Sequence, residues 1–239
     1  MVYAEILSGG SGSRFGNREI PKQYNMINDR PIITYTIESI LSCNLIDKVI
    51  ICCHDDWKEY LKDIVKKYFP EENRIEYSKS GIDRNESMFS GCNYIKDNYG
   101  VKDDDIILTI DAVRLLVTEK IIRDNIEAAK NHSAVGTFFP VVDTVIQSYD
   151  GGTVQEMPIR KFMYQAQAPQ TFNLKKLIDY YSQITEEERK DFTDVSKIFF
   201  LNGENVYMVE GSYQNMKITY PEDIEIAKQY IKKRQNLKN

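Results

Sequence analysis

Histidine and cysteine are scarce in this chain of 239 residues, with two of the first and four of the second. Cys43, Cys52, Cys53 and Cys92 form no CxxC pair, and His54 and His132 lie far apart, so a zinc site built from these residues is not expected. Reduced, mostly buried thiols in a cytosolic protein are the expectation instead. Long apolar runs are also missing. No stretch approaches the roughly 18 residues of a membrane-spanning helix, and Met1–Gly10 has neither the basic start nor the apolar run of a secretory leader. Only 12 Gly and 7 Pro are present, which excludes collagen-like and low-complexity chains. There is no excess of positive charge: 31 Lys and Arg against 36 Asp and Glu leave a formal net charge of −5, a poor footing for general nucleic-acid binding. Local basic pockets remain open.

What is present is a globular composition. With 42% apolar residues, a chain of this length buries well over half of its unfolded surface and needs no disulfide or metal to hold it. One domain over 1–239 is expected. Short apolar runs at Tyr3 to Leu7, Lys48 to Cys53, Ile75 to Tyr77, Asp105 to Ile110, Ala134 to Phe139 and Asn205 to Glu210 read as strands. Between them lie helical patterns. Ile33, Ile37, Ile40 and Leu41 form one, and Trp57, Tyr60, Leu61, Ile64, Val65 and Tyr68 another that Pro70 closes. Glu86 to Asn98, Ile121 to Ala129, Leu174 to Tyr181 and a C-terminal segment with Pro221 in its first turn complete the set. The tyrosines at 60, 68, 180 and 181 fall on helix faces, which favours packing over stacking on nucleic acid.

Alternating strands and helices predict an α/β fold with an open, mostly parallel sheet covered on both faces. Ligands of such sheets bind beyond the carboxyl ends of the strands. The loops at Ser8–Gly16, Gly81–Ser87 and Asp111–Arg114 lie there. The rhythm breaks between Val141 and Phe172, where Val142–Tyr149, the turn signal Asp150-Gly151-Gly152 and Thr153–Gln155 suggest an inserted hairpin arm at about 141–165.

The loop Leu7-Ser8-Gly9-Gly10-Ser11-Gly12-Ser13-Arg14-Phe15-Gly16 could cradle phosphate through its amides. It fails the P-loop spacing, since no Lys stands where GxxxxGK[ST] needs one, and fails GxGxxG because Phe15 occupies the third Gly position. That disfavours a dinucleotide-dependent oxidoreductase. Arg14 and Lys22 nevertheless set two cations close to the loop, fit to neutralise a triphosphate or to stand as solvated surface charges.

Taken in order, Leu7-x-Gly9-Gly10-x-Gly12-x-Arg14, Pro21-Lys22-Gln23, Gly81-Ile82-Asp83-Arg84-x-x-Ser87, Asp111-Ala112-Val113-Arg114, Gln167–Phe172, Thr193-Asp194 and Asn215-Met216-Lys217-Ile218-Thr219 resemble the motifs of the ribitol-5-phosphate and 2-C-methyl-D-erythritol 4-phosphate cytidylyltransferase family. The resemblance spans nearly the whole chain. It implies a Rossmann-like nucleotidyltransferase fold of the glycosyltransferase-A kind, with a β-hairpin dimerisation arm. It also implies a reaction in which CTP and a polyol phosphate give a CDP-polyol and pyrophosphate, with Mg²⁺ as cofactor and Asp111 as the carboxylate beside it. Arg14, Lys22 and Lys217 match the family's catalytic cations. Leu7, Gly9, Gly10, Gly12, Gly81, Asp83, Arg84 and Ser87 match its nucleotide-binding positions. Asp83 and Ser87 would address the cytosine edge, and Arg84 would contact the nucleotide or brace the loop. Arg114, Thr144, Arg160 and Thr193 fall on the substrate side, with Thr144 and Arg160 donated across a homodimer by the arm. Neither nucleic acid nor membrane is an implied partner.

Three departures stand near these motifs: Ile110 in place of His, Leu115 in place of Pro and Ala168 in place of Thr. They keep a non-catalytic nucleotide-binding regulator open as a competing reading. His54-Asp55-Asp56-Trp57 and the Gln-Asn-Met-Lys-Ile-Thr segment resemble the ribitol branch of the family more closely than the methylerythritol branch, a resemblance that implies ribitol 5-phosphate as acceptor and a product that feeds a surface polymer such as teichoic acid or capsule.

Overall fold

Val2–Ser8 forms the first strand, β1, and its side chains are buried on both faces, as a central parallel strand requires. The computed structural model describes residues 1–10, 12, 15, 20–185, 187–188 and 194–236. After β1 come a single 3₁₀ turn at Lys22–Tyr24, a two-residue hairpin of β2 (Met26–Ile27) and β3 (Arg30–Pro31), and helix α1 (Ile32–Leu41). There follow β4 (Lys48–Cys53), α2 (Lys58–Tyr68), β5 (Ile75–Lys79), α3 (Arg84–Tyr99), β6 (Ile106–Asp111), α4 (Glu119–Ala129) and β7 (Ala134–Pro140). The chain ends in β8 (Tyr164–Asn173), α5 (Leu174–Ser182), α6 (Ser196–Leu201), β9 (Val206–Glu210) and α7 (Asp223–Asn236).

The main sheet runs β5-β4-β1-β6-β8-β7-β9. β5, β4, β1 and β6 are mutually parallel, as are β7 and β9, and β8 alone is antiparallel to its neighbours β6 and β7. Alternation along the strands separates two cores. Ala4, Ile6, Ile51 and Leu108 face Ile33 and Ile37 of α1, Leu61 of α2 and Ile122 of α4. Tyr3, Ile50, Ile107 and Phe172 face Met88 and Cys92 of α3, Leu177 of α5 and Phe199 of α6. A third cluster joins Ile231 of α7 to Leu115, Leu116, Ile218 and Ile32. All four cysteines are free and buried, and no helix among the described residues is long and apolar enough to cross a membrane.

Three local expectations need correction. β8 carried no apolar run, since Gln165, Gln167, Pro169 and Gln170 interrupt it. Its buried glutamines are accommodated by pairing: Gln167 Nε2 donates to Ser212 O at 2.9 Å and Gln170 Nε2 to Asp194 Oδ1 at 2.8 Å. Pro169 sits at the register shift between Gly136 and Thr137, where no ladder N–H is needed. The arm is not a pair of strands either. Its two limbs share one antiparallel bridge, Gln147 with Glu156, and the turn between them is held by Asp150 Oδ1 accepting from Gly152 N and Thr153 N, both at 2.9 Å. The C-terminal helix begins at Asp223, after Pro221, because Asp223 Oδ2 caps the preceding turn by accepting from Thr219 N at 2.7 Å and Tyr220 N at 2.8 Å.

Candidate active site

β1 and β6 end side by side, with Leu7 paired to Asp111, and Ala112 N donates to Leu7 O at 3.0 Å to extend the ladder one step. Beyond these ends lies a cavity of about 300 Å³ lined by Leu7, Gly9, Gly10 and Gly12 of the first loop, Gly81, Asp83, Arg84 and Ser87 of the second, and Lys22, Asp111 and Lys217. These residues are far apart in sequence. The parallel sheet gathers them because it sets every β-to-α loop at one edge.

The second loop is knitted by its own side chains. Asp83 caps α3, its Oδ1 accepting from Glu86 N at 2.8 Å, while Glu86 Oε2 reaches back to Ile82 N at 2.9 Å. This reciprocal pairing is a shifted form of a capping box. Ser87 Oγ accepts from Gly81 N at 3.1 Å. Gly81 must be glycine, since a Cβ there would lie 2.2 Å from Glu86 Cβ and 2.7 Å from the Glu86 backbone carbon. The result is a stiff loop that aims the positive end of a 16-residue helix at the cavity. One of the two Asp83 oxygens is thus committed to the cap.

Asp111 is the electrostatic centre. Lys217 Nζ lies 3.0 Å and Arg84 Nε 3.3 Å from Oδ1, and Arg114 Nε lies 3.1 Å from Oδ2. Burial alone would raise the carboxyl's pKa, but the charges of Arg84, Lys217 and Arg114 outweigh it and hold the group well below the usual carboxylate range. Burial pulls the Arg114 guanidinium the other way, lowering its pKa, and Asp111 opposes that shift. Lys22, Arg84 and Lys217 line the cavity against the carboxylates of Asp83 and Asp111, with Arg114 behind Asp111, an excess of positive charge suited to a polyphosphate.

Lys217 is placed by its neighbours. Asn215 is fully buried, donates to Ala168 O at 2.7 Å and accepts Arg114 Nη1 on its carbonyl at 2.8 Å, and Ile218 N donates to Val113 O at 3.1 Å. Asn215 and Gln167 are supports that the sequence reading quoted in motifs but gave no role. Gln23 and Ile82 also line the cavity without having been singled out. Gln23 Nε2 donates to Ser8 O at 2.6 Å, and Ile82 stands 96% exposed at the rim. Ile82 stands within the Gly81–Ser87 motif, but its exposure beside a polar cavity is visible only in the fold.

Thr144 and Arg160 do not line the cavity. Both lie on the arm, where Arg160 Nη1 donates to Val142 O of its own chain at 3.0 Å. Arg14 and Thr193 fall outside the described residues. Ile110 and Leu115 are buried in the first and third core clusters, and Ala168 is buried in the first, so all three departures serve packing.

The sequence profile described as IspD, 2-C-methyl-D-erythritol 4-phosphate cytidylyltransferase, matches residues 2–233. The chain belongs to the IspD family. It is 42% identical over 234 residues to the ribitol-5-phosphate cytidylyltransferase of Lactiplantibacillus plantarum, covering 98% of this chain and 100% of that protein. Among solved structures it is similar to 4-diphosphocytidyl-2C-methyl-D-erythritol synthase from Anaerococcus prevotii, with 29% identity, a TM-score of 0.79 and coverage of 97% of this chain and 96% of that one. A second is the Francisella tularensis 2-C-methyl-D-erythritol 4-phosphate cytidylyltransferase, with 27% identity, a TM-score of 0.77 and coverage of 95% and 97%. The α/β sheet is therefore that of an IspD-family nucleotidyltransferase.

Proposed function

We propose that this IspD-family enzyme transfers the cytidylyl group of CTP to D-ribitol 5-phosphate, giving CDP-ribitol and pyrophosphate. The observation that carries the reaction class is the cavity at the ends of β1 and β6, where Lys22 and the Asp111–Arg84–Arg114–Lys217 cluster surround space for a nucleotide. The acceptor rests on the relative that matches over its full length.

In the reaction a phosphate oxygen of the acceptor attacks the α-phosphorus of CTP. The bond from that phosphorus to the bridging oxygen breaks, and pyrophosphate leaves with the bond's electrons. The nucleophile is already anionic, so the protein's task is to collect negative charge and stabilise it in transit. Lys22, Lys217 and Arg14 are assigned that role. Lys217 and Arg84 rest on Asp111 and can exchange a carboxylate for phosphate oxygens. Asp83 and Ser87 face the base, and the stiff loop around Gly81 fixes their distance from the phosphates. Arg114 is assigned a supporting part on the substrate side, holding Asp111 and the Asn215 carbonyl.

The donor set fits Mg²⁺ in its water-rich mode, which takes one or two carboxylates and substrate phosphates. Among the described residues no group of three or more His, Cys, Asp or Glu could hold a metal, and Asp111 is the carboxylate that would do so. When bound, the ion would neutralise charge on the phosphates.

The arm supports a homodimer. Val142, Tyr149, Met157, Ile159 and Phe162 are all exposed apolar groups on it, too many for a segment left in water. Arg160 and Thr144 would then complete the acceptor site of the partner, in the company of Thr193. The solved relatives, 27–29% identical, keep methylerythritol 4-phosphate as the second reading. A cytoplasmic enzyme supplying CDP-ribitol to teichoic acid or capsule assembly is the proposed setting, with no nucleic-acid or membrane partner. The direct test is pyrophosphate release from CTP on adding a polyol phosphate. CTP binding without release for any polyol phosphate would favour a nucleotide-binding regulator.

A further inference from the structure

Lys22 sits on one turn of 3₁₀ helix, Lys22–Tyr24, a thin support for a group that must meet phosphate within fractions of an ångström. The turn's own backbone bonds are Tyr24 N to Pro21 O at 2.9 Å and Asn25 N to Lys22 O at 3.1 Å, and the Asn25 side-chain amide adds longer bonds to Pro21 O and Lys22 O, both at 3.3 Å. Its N-cap is Pro21, with no side-chain bond to the turn. Contacts from outside add to these, among them Gln23 Nε2 donating to Ser8 O at 2.6 Å. On the cavity side Gly12, at φ +72°, packs so closely that a Cβ would lie 2.8 Å from Lys22 Cβ. On the other side Tyr24 is 2% exposed and closes a triangle with two aromatic rings at the start of α2. Its centroid is 5.4 Å from that of Trp57 and 5.4 Å from that of Tyr60, and those two are 5.7 Å apart, with Tyr60 edge-on to both. Aromatic pairs at such separations attract beyond their buried area and prefer tilted or edge-on angles, so the three rings hold a defined orientation.

We infer that Trp57 and Tyr60 are positioning residues for Lys22: the aromatic triangle ties the cation's turn to α2 and so sets where the ammonium meets the phosphates of the nucleotide. Neither residue lines the cavity. Trp57 closes the His54-Asp55-Asp56-Trp57 segment, whose short helical turn delivers the indole from the end of β4 to the back of the Lys22 turn. This inference rests on the assignment of Lys22 to phosphate chemistry made above.

The experiment is a double-mutant cycle on the full-length enzyme, reading pyrophosphate release from CTP with D-ribitol 5-phosphate. Trp57→Ala and Tyr60→Ala are each measured alone and with Lys22→Ala, and thermal unfolding is followed in parallel. A displacement near 1 Å costs up to about 100-fold in rate, so each single variant should lose roughly 10-fold or more in kcat. KM for the polyol phosphate should change less than about 2-fold, and Trp57→Phe should recover most of the rate. With Lys22→Ala present, either aromatic truncation should lower kcat by less than about 2-fold, because the group it positions is gone. A loss of equal size in both backgrounds overturns the inference, as does a single variant with wild-type kcat. Lys22→Ala with wild-type turnover overturns the Lys22 assignment itself, and that single measurement separates the two failures. If Trp57→Ala does not fold, the half-exposed Tyr60 carries the same cycle.

Discussion

Replacing Asp111 by Asn removes one charge at nearly constant shape and leaves Arg84, Arg114 and Lys217 facing one another. Arg114 is the partner that matters for stability, because its side chain is 11% exposed and that of Asp111 is 10% exposed. Arg84 and Lys217 are 30% and 36% exposed, so water screens much of their share. Stranding a buried charge by deleting its partner costs about 3–5 kcal/mol, and Arg114 keeps its bond to Asn215 O, which places the cost near the lower end. For a chain of this length about 3 kcal/mol corresponds to a fall in Tm of roughly 6–12 °C. The pH dependence has a definite sign. Asp111 has a folded-state pKa below its unfolded value, so its stabilisation is complete above about pH 4 and is lost as pH falls through the lower folded value. The gap between wild type and Asp111→Asn should therefore be flat from pH 5 to 8 and close in acid. Pyrophosphate, a polyanion able to take the place of the missing charge, should raise the variant's Tm by more than it raises that of wild type. Thermal scans across pH, with and without pyrophosphate, read all of this. A Tm for Asp111→Asn equal to or above that of wild type at pH 7 would refute the reasoning.

Glu5 lies fully buried on β1 with neither carboxyl oxygen hydrogen-bonded among the described residues, and burial raises its pKa well above the usual range while Arg84 pulls it down. A raised folded-state pKa means that stability is lost as pH climbs above the unfolded value, so Glu5→Gln should stabilise the protein. The gain should grow from pH 5 to 8 by at most about 1.4 kcal/mol per pH unit, and a gain that shrinks over that range contradicts the assignment. Asp83→Ser keeps an N-cap but is too short to reach a base. Its Tm should stay within about 2 °C of wild type while the CTP-to-UTP ratio of kcat/KM falls, whereas Asp83→Ala should also lose about 1 kcal/mol of stability. An unchanged ratio in Asp83→Ser would leave Asp83 as a cap alone. Arg160→Ala should raise KM for the polyol phosphate roughly 10- to 100-fold more than KM for CTP. Mixed with Lys22→Ala it should regain about a quarter of wild-type activity through heterodimers, and no recovery after verified subunit exchange would end the cross-dimer role.

Much of the sheet was legible in the sequence because its strands are apolar runs buried on both faces, as Lys48–Cys53 and Ile106–Asp111 illustrate. The strands of the site end in their motifs, so Leu7, Asp111 and the glycines are legible as one site from the sequence. β8 was hidden because its partners are distant. Gln167 and Gln170 are satisfied by Ser212 and Asp194, pairings that no local pattern announces. The arm read as strands from Val142, Val145 and Ile146, yet it pairs at one bridge, since a short two-stranded ribbon standing off the sheet gains little from its ladder. The Asp111 cluster combines three segments, and only the fold reveals that Arg84, taken for a nucleotide contact or loop brace, meets Lys217 on one carboxylate oxygen.

The account turns on cytidylyl transfer to ribitol 5-phosphate, and the ratio of kcat/KM for D-ribitol 5-phosphate to that for 2-C-methyl-D-erythritol 4-phosphate, measured with CTP by pyrophosphate release, tests it most directly. The account predicts a ratio of about 100 or more, within the roughly 10⁴- to 10⁵-fold by which a site built to pair a hydroxyl can reject an analogue that lacks it. A ratio below one, or no release with either acceptor, would contradict it.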